Sequence, residues 1–227
     1  MNQNVVFLPG TLCDERIFKH LLPIFPHHTV IDLRSPVSIE AMVEAVEAAP
    51  FEKFVMIGFS MGGHIAQEFS LKHPERVEKL IVMGSSSEGY PVEERKIVES
   101  TIGLIEKSKF TGITEKRLKE YLHPHSYENL EIKQTIQAMA GADAKEVYLR
   151  QIKATLDRRD LKAQLEHLEI PVMFIAGAED HIVPLPSIRR SAANIPLARL
   201  VVIEECGHFA PLEKPEEVKE AIREFLA

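Results

Sequence analysis

Residues 54–63 read Phe-Val-Met-Ile-Gly-Phe-Ser-Met-Gly-Gly, an apolar run that ends in a serine set between glycines and passes straight into helical sequence. A continuous apolar run of this length predicts a strand over Phe54–Gly58 buried on both faces, and the spacing predicts a helix over Ile65–Leu71 behind the glycine pair. At such a junction the backbone folds back on itself, so the residues beside the turn must be small. Gly58 and Gly62 supply that space and form a G-x-S-x-G pattern around Ser60 in strand-turn-helix context. The turn lifts the Ser60 hydroxyl above the carboxyl edge of the sheet, where a nucleophile is useful. A dinucleotide fingerprint would need glycine at position 60, and no Gly-Lys-Ser/Thr phosphate loop occurs. The plain alternative is a glycine-rich connection with an incidental serine.

Working outward, short Val/Ile/Leu/Phe/Met runs predict further strands at Asn4–Pro9, Thr29–Leu33, Lys79–Gly84, Pro171–Gly177 and Leu200–Glu204. Helical spacing predicts helices at Glu15–Phe25, Ile39–Ala49 and Glu216–Leu226. Strand alternating with helix implies parallel pairing through right-handed crossovers. From Pro91 to about Leu168 only helical patterns occur. The expected organisation is an α/β core over residues 1–90 and 169–227 with helices on both faces of a mostly parallel sheet, and a helical lid inserted at 91–168. Residues 88–170 hold 14 Lys+Arg against 15 Asp+Glu, so most of the chain's net charge of −7 lies outside this insertion.

That charge, 27 basic against 34 acidic residues in 227, argues against broad binding to nucleic acid or an anionic membrane face. No apolar run approaches the roughly 18 residues of a spanning helix, and the first residues, Met1–Asn4, do not open a secretory signal. Cytoplasm is the expected compartment. Cys13 and Cys206 are too few for a disulfide framework or a thiolate metal site, and reducing conditions would keep both free.

A serine hydroxyl needs a base and an orienting acid. Of ten histidines, His208 follows the Leu200–Glu204 strand through Cys206-Gly207, which puts it at the sheet edge expected for Ser60. His181 competes but adjoins the candidate acid. Asp180, in Gly177-Ala178-Glu179-Asp180 after another strand, is the expected acid, with Glu179 and Glu88 as alternatives and a solvated loop carboxylate as the plain reading.

In its order Ser60, Asp180, His208 and in the segments G-F-S-M-G-G, G-A-E-D-H-I-V-P and G-H-F, the chain resembles the α/β-hydrolase superfamily over nearly its whole length, and within it the small soluble branch of carboxylesterases and enol-lactonases. The resemblance implies that Ser60, Asp180 and His208 are catalytic. It also implies an oxyanion hole from the backbone N–H groups of Thr11 and Met61, with Leu12 the alternative to Thr11, in a loop where Pro9 stands in the place often taken by His. Leu12 and Phe209, beside these groups, are the expected substrate-binding side chains. Family members commonly begin with an antiparallel strand pair; here the first strand starts at about Asn4, so those edge strands are expected to be missing.

The implied chemistry is hydrolysis of a small soluble carboxylic ester through an acyl-enzyme, without metal or organic cofactor. A lactonase, thioesterase, perhydrolase, a lyase acting on an anionic substrate, or a small-molecule-binding signalling protein would use the same residues. For an esterase the inner lid surface should be mainly apolar. Arg150, Arg158 and Arg159 are expected to stay out of the pocket, because Asp157 and Asp160 flank the double arginine and account for it by surface pairing.

Overall fold

The computed structural model describes residues 2–108, 110 and 112–227. Six strands, β1 (Asn4–Leu8), β2 (His27–Val30), β3 (Phe54–Phe59), β4 (Val77–Met83), β5 (Val172–Gly177) and β6 (Ala198–Ile203), form one sheet in the order β2-β1-β3-β4-β5-β6. Every pair is parallel, with Val5 opposite Val55, Phe59 opposite Met83 and Gly177 opposite Ile203. Parallel pairing puts the carboxyl ends of β1, β3, β5 and β6 on one edge.

Because successive side chains on a strand point to opposite faces, the apolar runs feed two cores at once. Val5, Phe7, Ile57, Met83 and Ile175 face one side, against Ile17, Phe18, Leu21 and Phe25 and the final helices. Val6, Leu8, Met56, Val82 and Phe174 face the other. There they meet α1 (Ile39–Glu47) and α2 (Met61–Lys72), whose Met42, Val46, Ile65 and Phe69 are fully buried. Ser38 starts α1 by accepting the Ala41 N–H at 3.1 Å.

Between β4 and β5 the described residues form α3 (Val92–Lys107), α4 (Glu115–Tyr121), α5 (Pro124–Tyr127), α6 (Leu130–Ala140), α7 (Ala144–Ala154) and α8 (Lys162–Leu165). They sit on the carboxyl side of the sheet, and Leu118, Ile132 and Ile136 join the first core. The chain ends with α9 (Leu185–Ala193), α10 (Ala210–Glu213) and α11 (Pro215–Leu226) around β6. No helix among the described residues is long and apolar enough to cross a membrane.

Two expectations are corrected. The helix expected over Glu15–Phe25 is a pair of short 3₁₀ turns, Glu15–Phe18 and Leu22–Ile24. Pro23 has no N–H to give and disfavours helical geometry at Leu22, so an α-helix cannot run through. The strand expected over Thr29–Leu33 instead spans His27–Val30, because Asp32 turns the chain: its carboxylate accepts the Arg34 N–H at 2.8 Å and the Ser35 hydroxyl at 2.8 Å.

Candidate active site

Ser60 occupies the turn between β3 and α2 with φ 52° and ψ −117°, left-handed geometry that a residue with a Cβ adopts only when its surroundings force it. The forcing is visible in the glycines. A Cβ on Gly62 would lie 2.1 Å from the Leu8 carbonyl oxygen, and one on Gly58 2.4 Å from that of Gly62, so helix, turn and strand pack backbone to backbone.

His208 Nε2 stands 3.0 Å from Ser60 Oγ, and His208 Nδ1 stands 2.8 Å from Asp180 Oδ2. The other Asp180 oxygen accepts the Ile182 and Val183 N–H groups at 2.8 and 2.9 Å. That leaves Asp180 Oδ2 placed to accept from Nδ1, the arrangement in which Nε2 presents its lone pair to the serine hydroxyl. Asp180 and His208 are each 4% exposed, and Phe59, Tyr121 and Phe209 surround the imidazole, so the array is shielded from bulk water. Of the competitors, Glu179 accepts the Cys206 N–H, Glu88 is paired with Lys162 and Arg190, and His181 points to solvent. Burial pushes both thiols up, Cys13 to about 12, which leaves neither as a nucleophile.

A cavity of ≈ 190 Å³ opens over Ser60, bounded by Thr11, Met61, His208 and Phe209 among others. Met61 is the first residue of α2, so its N–H has no acceptor within the helix. Thr11 lines the cavity, whereas the Leu12 N–H is taken by Gln151 Oε1 at 2.9 Å. The Leu12 side chain packs with Ala140, Ala144 and Val147 instead of reaching the cavity. The expectation for Leu12 as a substrate contact is corrected accordingly; Phe209 does line the cavity.

The helical segment contributes a different surface from the one expected. Its lining residues include Glu94, Arg117, Tyr121, Tyr148, Ile152 and Arg158, so the inner face is mixed rather than mainly apolar. Arg150 and Arg159 stay outside, the first donating to the Arg34 carbonyl at 2.7 Å and the second paired with Glu68. Arg158 overturns the expectation for the set. Asp157 pairs with Arg95 and Asp160 with Lys162, which leaves Arg158 no carboxylate partner among the described residues. Its guanidinium lies 3.9 Å from the Tyr90 ring centre, and its Nε is buried without a hydrogen-bond partner. Arg117 also borders the cavity, paired with Glu120 and stacked on Tyr121 at 4.9 Å. His64 lines the same wall; burial first and Arg158 second push its pKa down to about 3, so it is neutral. Among the described residues no group of three or more His, Cys, Asp or Glu side chains is arranged as a metal site.

A parallel sheet with a serine on a strained strand-to-helix turn, facing a buried His-Asp pair at the carboxyl edge, defines a hydrolase architecture. Residues 5–221 match the alpha/beta hydrolase family, and the chain belongs to it. It is 28% identical over 202 residues to a 2-hydroxy-6-oxononadienedioate/2-hydroxy-6-oxononatrienedioate hydrolase of Burkholderia vietnamiensis (strain G4 / LMG 22486), covering 85% of this chain and 69% of that protein. Among solved structures it is similar to a thermophilic esterase from Thermogutta terrifontis (TM-score 0.88, 23% identity, 100% of this chain and 90% of the other). It is also similar to the enol-lactonase from Burkholderia xenovorans LB400 (TM-score 0.81, 17% identity, 100% and 92%).

Proposed function

We propose that this hydrolase cleaves a small carboxylic ester that itself carries a carboxylate, through an acyl-enzyme on Ser60. In this reading His208 Nε2 takes the Ser60 proton as the oxygen attacks the ester carbonyl. The backbone N–H groups of Thr11 and Met61 receive the charge that develops on the carbonyl oxygen. His208 then returns the proton to the leaving alcohol, and water, activated by the same imidazole, releases the acid. Asp180 holds the ring and stabilises its charged form. The helical segment acts as a lid over the cavity, whose ≈ 190 Å³ suits a short substrate rather than a long acyl chain.

The observation that carries the anionic part is Arg158, a cation at the cavity wall with no carboxylate partner among the described residues. A half-buried guanidinium without a counter-charge is costly, and a planar carboxylate fits its fork. The dioate named for the curated relatives supports the same reading. The cytoplasm is proposed as its compartment, in keeping with two buried, unpaired cysteines.

A fluorophosphonate label and a panel of para-nitrophenyl esters test this. Ser60 should take the label, and hemiesters of short dicarboxylic acids should outperform neutral esters of equal length. Arg158→Ala should raise KM for the hemiesters roughly 10- to 100-fold, the equivalent of the ~1.5–3 kcal/mol of a charge-assisted hydrogen bond, and leave neutral esters almost unchanged. Neutral esters turned over equally well, with no effect of Arg158→Ala, would return the substrate to an uncharged ester. Failure to label Ser60 in folded protein would remove the acyl-enzyme altogether.

A further inference from the structure

Glu213 ends α10 beneath the His208 loop and is 9% exposed. Its Oε1 accepts the Phe209 N–H at 2.9 Å, and its Oε2 accepts the Gly207 N–H at 3.2 Å and the His123 N–H at 2.9 Å. The Ser126 hydroxyl faces it as well. The adjoining Lys214 pairs with Glu205 and gives it no counter-charge. Between the two loop amides that Glu213 holds, the His208 N–H donates to the Tyr121 carbonyl at 2.7 Å. Three consecutive amides, 207 to 209, therefore end on Glu213 and on one carbonyl of the segment that Glu213 also grips through His123. No side chain separates the two backbones: a Cβ on Gly207 would lie 2.4 Å from the Tyr121 oxygen and 2.8 Å from the His123 nitrogen.

We propose that Glu213 is a positioning residue: its carboxylate sets the 207–209 loop so that His208 meets Ser60, and ties that loop to residues 121–126 of the helical segment, making base and lid one mechanical unit. This rests on the reading of Ser60 and His208 as nucleophile and base. Only a carboxylate can do the work, since both of its oxygens accept and neither donates. Glutamine keeps the size but turns an NH₂ toward one set of N–H groups. Burial pushes the Glu213 carboxyl above its ordinary range, and the backbone N–H groups that point at it offset part of that rise.

The experiment compares wild type, Glu213→Gln, Glu213→Asp and His123→Pro by the rate of fluorophosphonate labelling at Ser60 and by kcat and KM for a hemiester, with folding followed by circular dichroism. Glu213→Gln should slow labelling and lower kcat roughly 10- to 100-fold, the scale of a misplaced catalytic group, with KM nearly constant because Arg158 is untouched. Glu213→Asp, which keeps the carboxylate, should recover part of the loss. His123→Pro deletes the lid-side donor at a φ of −58° that proline accepts, and should give an intermediate loss. Wild-type labelling and kcat in folded Glu213→Gln overturn the proposal. If that variant does not fold, unchanged labelling in His123→Pro overturns it. A wild type that takes no label at Ser60 overturns the underlying reading and this one with it, whereas a labelled wild type matched by Glu213→Gln overturns this one alone.

Discussion

Ser60 stores strain that serves its proposed role. At φ 52° and ψ −117° a residue with a Cβ costs on the order of 1–3 kcal/mol, and the surrounding glycine contacts hold it there. Replacing it by glycine should raise the unfolding free energy by about 1 kcal/mol while removing the nucleophile, because relief of strain exceeds the modest entropy that glycine adds to the unfolded chain. Urea denaturation measures this, and a variant less stable than wild type would show that the turn is not costly. Arg158 teaches the opposite lesson about single residues. In Asp157-Arg158-Arg159-Asp160 the four charges look self-sufficient in sequence, yet Asp157 and Arg159 find partners far along the chain, Asp160 takes Lys162 two residues on, and Arg158 turns to the cavity. Local pairing is a poor guide where exposed ion pairs contribute so little that any neighbour can take them.

Elements were legible in proportion to how much their own residues determine them. The six apolar runs became six parallel strands within a few residues at each end, since burial on both faces leaves little choice. The triad candidates were legible for the same reason, each following a strand that had to end on one edge. The Glu15–Phe25 stretch has helical spacing, but Pro23 breaks it into 3₁₀ turns, so periodicity lost to one missing N–H. Glu213 had no signal, because its partners are backbone amides that no residue type announces. The docking of α2 on β1 gives a prediction at this scale. Alanine at 62 should gain about 1 kcal/mol of helix propensity over glycine, but its Cβ would sit 2.1 Å from the Leu8 carbonyl oxygen, which neither strand nor helix can vacate cheaply. The steric cost wins: Gly62→Ala should lose about 1–3 kcal/mol net in denaturant and lower Ser60 labelling as the turn is displaced. A stabilised Gly62→Ala would mean that propensity outweighs the contact.

At the scale of the whole molecule, the two ends of the helical segment are fastened to each other and, through the first of them, to one helix of the core. Where the chain leaves β4, the Ser87 N–H donates to Ser191 Oγ and the Ser87 carbonyl accepts the Leu161 N–H, both at 2.8 Å. Glu88 then bonds Arg190 of α9 through two nitrogens, at 2.8 and 2.9 Å, and Lys162 of α8 at 3.0 Å. The Arg190 hydrogen bonds, more than any other interaction, lower the Glu88 carboxyl to about 2. A carboxyl depressed in the folded state adds stability that is present above its unfolded value, near 4.5, and is lost as pH falls through about 2. Arg190 is 58% exposed, so solvent screening reduces the contribution to about 1 kcal/mol, which for a chain of this size is roughly 2–4 °C in Tm. Glu88→Gln should therefore melt lower than wild type by that amount at neutral pH, and the gap should narrow steadily as pH falls below about 5. Glu213, whose carboxyl is shifted the other way by burial, is common to both proteins and cancels in the difference. Thermal melts of the pair from neutral to acid pH decide it: a gap that stays constant would show that Glu88 acts through packing, and no gap at all would show that the two ends of the segment are held by the Ser87 hydrogen bonds alone.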